Sequence, residues 1–370
     1  MEQRAGKNIV ICLDGTGNQF KEENTNVVKL YQALELDPRV QVAYYDPGVG
    51  TLADPSYKTP VGKNINKTLG LAFGYGVIKG VEQAYSYLME QYEENDRIFV
   101  FGFSRGAYTA RALAGFIHSC GLLEKGCQNL IPYAMKLYKT RNMDFKVLQR
   151  FKSTYGRTCN IHFLGLWDSV RSFGWVYDPV FLPYTTNNKS VQAVRHALAI
   201  DEKRAFFRQM HWGDKYQEQQ DIKEVWFAGV HSDIGGGYPE SESGLAKISL
   251  EWMIEEACQK PFDLKINDIK YNRYVLGTDS DGKYTGPDHL ADAHESLKGP
   301  WWIVQYLPQR VWLPVENRKA IRFPQQIRPI EDGSSLHHSV LRRMKESSYT
   351  PSNLPPFDEA EIGGQFNIEK

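Results

Sequence analysis

The chain has 370 residues, 42% of them hydrophobic and 24% charged, which is ample for a large buried core. Lysine plus arginine equals aspartate plus glutamate at 44 each, so the chain lacks the basic excess of a nucleic-acid binder and no such partner is expected. Five cysteines with no CxxC spacing make neither a disulfide framework nor a structural zinc site, and only Cys120 and Cys127 could join across a loop.

The first segment, KNIVICLD at 7–14, is a compact apolar strand that opens directly into the polar, glycine-rich GTGN. No apolar signal core precedes it, and no apolar stretch is long enough to span a membrane. A cytoplasmic location is therefore the default expectation, with signal-less secretion left open. Helical spacing follows at 26–36 and a strand at 40–48. Residues 51–80 form a glycine-rich insertion that reads either as a lid or as an irregular packed loop. Helix signals at 77–94 lead to a strand at 97–103, then to helices at 105–118 and 130–152. Strands recur at 160–168 and 224–229, and a broad apolar stripe predicts a helix over 245–259. The run RHALAIDE at 195–202 reads as helical, with enough charge to form an internal network. Short strands are expected near 310–314. Residues 347–370 read as a polar, proline-rich tail that wraps the surface or frays.

Strands alternating with helices, several of them apolar throughout, imply a mostly parallel sheet covered on both faces. The predicted architecture is a three-layer α/β sandwich of the α/β-hydrolase kind, one catalytic domain over 7–346 with long insertions. In such sheets the crevice lies at the C-terminal strand ends.

Gly102-Phe103-Ser104-Arg105-Gly106 is a GxSxG match between a strand and a helix, the setting of a nucleophile elbow. The tight turn would lift the Ser104 hydroxyl and aim the N–H of Arg105 at a developing oxyanion. The competing reading makes Ser104 a helix cap. A serine needs a base and an orienting carboxylate. Asp168 ends the strand in GLWDSV, and His231 follows the strand in FAGVHSDIGGGY, giving the chain order Ser, Asp, His. Asp168 as a turn cap, Asp233 as the acid, and His337 or His338 as the base are the alternatives. The HSDIGGG run also suits an anion or metal nest. Asp14 and its loop offer a second oxyanion donor from Gly15 or Thr16. Arg105 could meet an anionic substrate or pair with an acid such as Glu202. The reaction of such a triad needs no cofactor and no metal.

The blocks LDGTGN (13–18), GFSRGAYTAR (102–111), LGLWDSV (164–170), RHALAIDEKR (195–204), VWFAGVHSDIGGGY (225–238) and LHHSV (336–340) resemble the DUF2235 family. That family includes the catalytic part of Tle1-type phospholipase effectors of type VI secretion. The resemblance implies a Ser-Asp-His triad at Ser104, Asp168 and His231, with His337 shaping the pocket. It also implies an ester or lipid substrate, with transient contact to a lipid interface. A carbohydrate or small-molecule esterase, or a binding protein on a hydrolase fold, are the alternatives.

Overall fold

Side chains alternate across a strand, so a strand apolar at every position must be covered on both faces. The strands Asn8–Leu13 (β1) and Arg97–Phe103 (β3) are of this kind and lie inside the sheet, each paired on both sides. The computed structural model describes residues 6–15, 24–48, 65–140, 145–170, 182–204, 207–214, 217–297, 309–313, 318–322, 327–356 and 358–370. Between β1 and β3 come the helix Asn26–Ala33 (α1), the strand Gln41–Asp46 (β2) and the long helix Ile65–Gln91 (α2). After β3 come Arg105–Cys120 (α3), the short strand Leu122–Leu123 (β4), Ile131–Lys139 (α4) and Phe145–Tyr155 (α5). Gly156–Arg157 (β5) pairs with β4, and then Ile161–Trp167 (β6), Val191–Ala199 (β7) and Asp221–Phe227 (β8) return to the main sheet. The short helix His231–Gly235 (α6) precedes Gly244–Cys258 (α7) and Asp268–Tyr274 (α8). Gln309–Leu313 (β9) and Arg318–Arg322 (β10) form a separate antiparallel pair. Ser335–His337 (β11), His338–Glu346 (α9), Glu359–Gln365 (α10) and Asn367–Glu369 (β12) complete the chain.

The main sheet has eight strands in the order β12-β11-β8-β7-β6-β3-β1-β2, and every pairing in it is parallel. One face packs Ile9, Ile11, Val100 and Leu164 against α2, α3, α4 and α5. The other packs Val10, Phe101, Phe163 and Trp167 against α1 and α7. A third cluster, Leu198, Trp226, Leu336 and Ile362, closes the far edge. This is the predicted α/β-hydrolase-like sandwich.

Several expectations change. The 195–202 stretch is not helical: its first part completes β7, in the middle of the sheet. Its charges do form an internal network, with Arg195 bonded to Glu256 at 2.5 Å and to Asp221 at 2.7 Å. The single helix expected over 130–152 is two helices, α4 and α5. The residues past Ser347 carry α10 and β12, which adds the last strand to the sheet edge. Of the 51–80 insertion, residues 51–64 lie outside the described residues, and the rest belongs to α2. All five cysteines are free thiols, so Cys120 and Cys127 are not joined.

Candidate active site

The sheet's C-terminal rim gathers the three residues from separate strand ends. At the end of β3 the backbone turns sharply, and Ser104 sits at φ 58°, ψ −117°, a region that costs a non-glycine residue energy. Its N–H donates to Trp167 O at 3.0 Å, which ties the turn to β6. Gly106 makes the turn feasible: a Cβ there would lie 2.1 Å from Leu13 O, so only glycine lets α3 start so close to β1.

Ser104 Oγ donates to His231 Nε2 at 2.7 Å, and His231 Nδ1–H donates to Asp168 Oδ2 at 2.6 Å. All three side chains are buried or nearly so. Asp168 stands at φ 38°, its N–H still paired to Ala197 O of β7 at 2.8 Å. His231 opens α6, and its N–H donates to Glu202 Oε2 at 3.2 Å. Phe103 packs on its ring with centroids 4.7 Å apart, and the edge of Phe207 meets it at 4.8 Å. Burial lowers the His231 pKa from its usual 6.5 despite the opposing pull of Asp168, so the ring is a neutral base at neutral pH.

Sequence reasoning missed Arg328. Its guanidinium forks onto Asp168, Nη1 to Oδ1 at 2.6 Å and Nη2 to Oδ2 at 3.0 Å. The Asp168 Oδ1 also accepts from Ala199 N–H at 3.2 Å. Burial pushes the Asp168 carboxyl up, but the Arg328 charge and the His231 hydrogen bond outweigh it and hold the group well below the usual carboxylate range. A cavity of about 190 Å³ opens beside this clamp, lined by Arg204, Phe207, Arg208 and Ile327 among others.

The remaining candidates are placed elsewhere. The Asp233 carboxylate is engaged by other groups: it accepts from Val230 N–H at 3.0 Å and pairs with His294 Nδ1 at 2.6 Å. His337 caps α9 through Ser339 and stacks on Phe227 at 4.6 Å, and burial pushes its pKa down to about 3. Asp14 accepts from Thr25 Oγ1 at 2.7 Å, from Tyr45 OH at 2.9 Å and from the N–H of Gly15 at 2.6 Å. That last bond commits the Gly15 donor expected for the oxyanion. Thr16 lies outside the described residues. Glu202, weighed as a partner for Arg105, forks instead onto Arg204, both bonds at 2.9 Å. Burial lowers the Arg105 guanidinium to about 10, still charged at neutral pH.

Residues 7–256 match the family described as T6SS, phospholipase effector Tle1-like, catalytic domain. The chain belongs to this Tle1-like family. Membership supports a hydrolase function in general terms. An uncharacterized protein of Saccharomyces cerevisiae is 37% identical over 224 residues, 56% of this chain and 33% of that protein. A crystal structure of an uncharacterized protein from Pseudomonas aeruginosa is 19% identical with a TM-score of 0.44, covering 78% of this chain and 50% of the other. A structure of a Tle1 effector bound to the VgrG spike of the type 6 secretion system is 20% identical with a TM-score of 0.38, covering 65% and 53%. The chain thus spans about a third of the yeast protein and about half of each solved structure. The default cytoplasmic location does not stand. The family that the chain matches is described as one of type VI secretion phospholipase effectors, which argues against it.

Proposed function

We propose that this Tle1-like protein is a serine hydrolase that cleaves carboxylic esters, with Ser104 as nucleophile, His231 as base and Asp168 as the orienting acid. The observation that carries the proposal is the unbroken hydrogen-bonded chain from Ser104 Oγ through His231 to Asp168. The family description points to phospholipid esters as the substrate class.

In the reaction, His231 Nε2 takes the Ser104 proton as Oγ attacks the ester carbonyl carbon. Asp168 holds the proton on Nδ1 and stabilises the imidazolium that forms. The oxyanion develops at the start of α3, where the Arg105 N–H stands in the first turn and the helix terminus favours negative charge. One such donor contributes about 3–4 kcal/mol to the transition state. The carbon–oxygen bond to the alcohol then breaks, and His231 passes its proton to the leaving oxygen. Water, deprotonated by the same nitrogen, attacks the acyl–Ser104 ester, releasing the acid and restoring the serine.

Intact-mass measurement after fluorophosphonate treatment tests this reading. Wild type should gain one adduct, Ser104→Ala none, His231→Ala very little, and His337→Ala the full adduct. An adduct that persists in Ser104→Ala, or that His337→Ala abolishes while His231→Ala retains it, would overturn the assignment.

A further inference from the structure

The Tle1-like match ends at residue 256, yet the Asp168 carboxylate is gripped by a residue 160 positions along the chain. Arg328 comes from the C-terminal segment. Its side chain is 5% exposed, and that of Asp168 is wholly buried. Besides its two bonds to Asp168, the guanidinium donates to Ala199 O at 3.0 Å and to Phe207 O. Its own backbone is held too: Asn353 Nδ2 bridges Arg328 O at 3.0 Å and Ile200 O at 3.1 Å. A fork locked at both ends is a fixed structural part, unlike a surface ion pair.

We infer that Arg328 is a positioning residue for the triad, a C-terminal clamp that fixes the Asp168 carboxylate and limits its hold on the His231 proton.

The physical case is one of competing claims on a single carboxylate. Four donors share its two oxygens: Ala199 N–H, His231 Nδ1–H and the two Arg328 nitrogens. A buried carboxylate facing only a histidine would either draw a proton itself or pull the imidazole into its charged form. With the guanidinium in place, Asp168 keeps its charge but spends part of it on Arg328. His231 then stays neutral, able to accept from Ser104. Glu202 meets the His231 N–H and raises the ring pKa, while Arg204, forked on Glu202, lowers it. Arg328 alone among these touches the acid.

The inference rests on the proposed triad, but its first readout does not. In the full chain labelled with ¹⁵N-histidine, the His231 signals are assigned by their loss in His231→Asn, and their pH titration is followed by NMR. Arg328→Gln should raise the His231 pKa by about one unit or more. Arg328→Lys, which keeps the cation, should stay near wild type. In parallel, the fluorophosphonate labelling rate of Arg328→Gln at pH 6 should fall by on the order of tenfold, with its acid limb displaced upward. An unmoved titration and an unmoved acid limb in folded Arg328→Gln would overturn the clamp, even where labelling upholds the triad. A raised titration in a protein that never labels would instead leave the clamp and remove the hydrolase. Should Arg328→Gln not fold, Asn353→Ala carries the test. It loosens the backbone bearing Arg328 and alters no charge. It should shift the titration the same way by less, and no shift would overturn the inference.

Discussion

His196 shows how one buried ring fixes its own protonation. The N–H of Ser169 donates to His196 Nε2 at 3.1 Å, so the ring proton sits on Nδ1 and is given to Glu224 Oε1 at 2.7 Å. Burial pushes the pKa down to about 4, against the pull of Glu224. The neutral ring thereby steadies the backbone just after Asp168. In the unfolded chain the same ring takes up a proton near pH 6.5. Between those values the unfolded state binds more protons, so stability falls as pH falls. His337, lowered to about 3 by burial, acts in the same direction. His294 acts oppositely, since Glu242 and Asp233 raise its pKa, but its contribution is already complete below about 6.5. From pH 6.5 to pH 5 each neutral ring should withdraw about 2 kcal/mol. Urea midpoints should therefore drop over that interval, and less so in His337→Asn. A flat midpoint would show that these rings do not titrate on unfolding. At this scale Ser104, Asp168 and His231 were readable because each follows an apolar strand with an abrupt polar break. Arg328, in the plain run AIRFPQQIRPI, carries no local signal; only closure of the fold brings it to Asp168.

Elements were legible where periodicity was strong and misleading where propensity and burial disagreed. Ala, Leu, Arg and Glu favour helix, so RHALAIDE at 195–202 reads as one, yet residues 195–199 complete β7. Its neighbours bury both faces of the strand, and Arg195 and His196 are tolerated there because Glu256, Asp221 and Glu224 satisfy them. Tertiary context decided against propensity. The elbow between β3 and α3 was legible for the opposite reason, since its glycines report steric demands directly. A Cβ on Gly106 would also lie 2.6 Å from Asp14 O, backbone that cannot swing aside as a side chain can. Gly106→Ala should therefore force α3 away from β1, costing about 1–3 kcal/mol and displacing Ser104 Oγ from His231. Thermal unfolding and fluorophosphonate labelling read both effects. A variant that melts and labels like wild type would mean the helix start has room to shift.

The whole molecule joins the rim that carries the proposed triad to its last residues, a link composition could not reveal. The stretch after Ser347 is polar and proline-rich, the signature of a loose tail. Its few apolar residues are nonetheless placed to matter: Leu354, Ile362 and Phe366 are buried against Trp226, Leu336 and Val340. Tyr349 OH donates to Asp201 Oδ2 at 2.7 Å, and Asp201 in turn accepts the N–H of Gly229 at 2.6 Å, two residues before His231. Asn353 holds the Arg328 backbone. Ending the chain at residue 346 would delete these three core side chains and uncover Trp226, Leu336 and Val340; at about 2 kcal/mol for each side chain lost, the total comes close to the marginal stability of a typical domain. It would also remove β12, which leaves β11 as an open parallel edge. The truncated protein should melt several degrees lower, and its labelling rate should fall further than the loss of stability explains, because the anchor of the Asp168 clamp goes with the tail. Melting and labelling measured at a temperature where both forms are folded separate the two effects. Equal labelling rates there would show that the C-terminal segment supports the fold without reaching the triad.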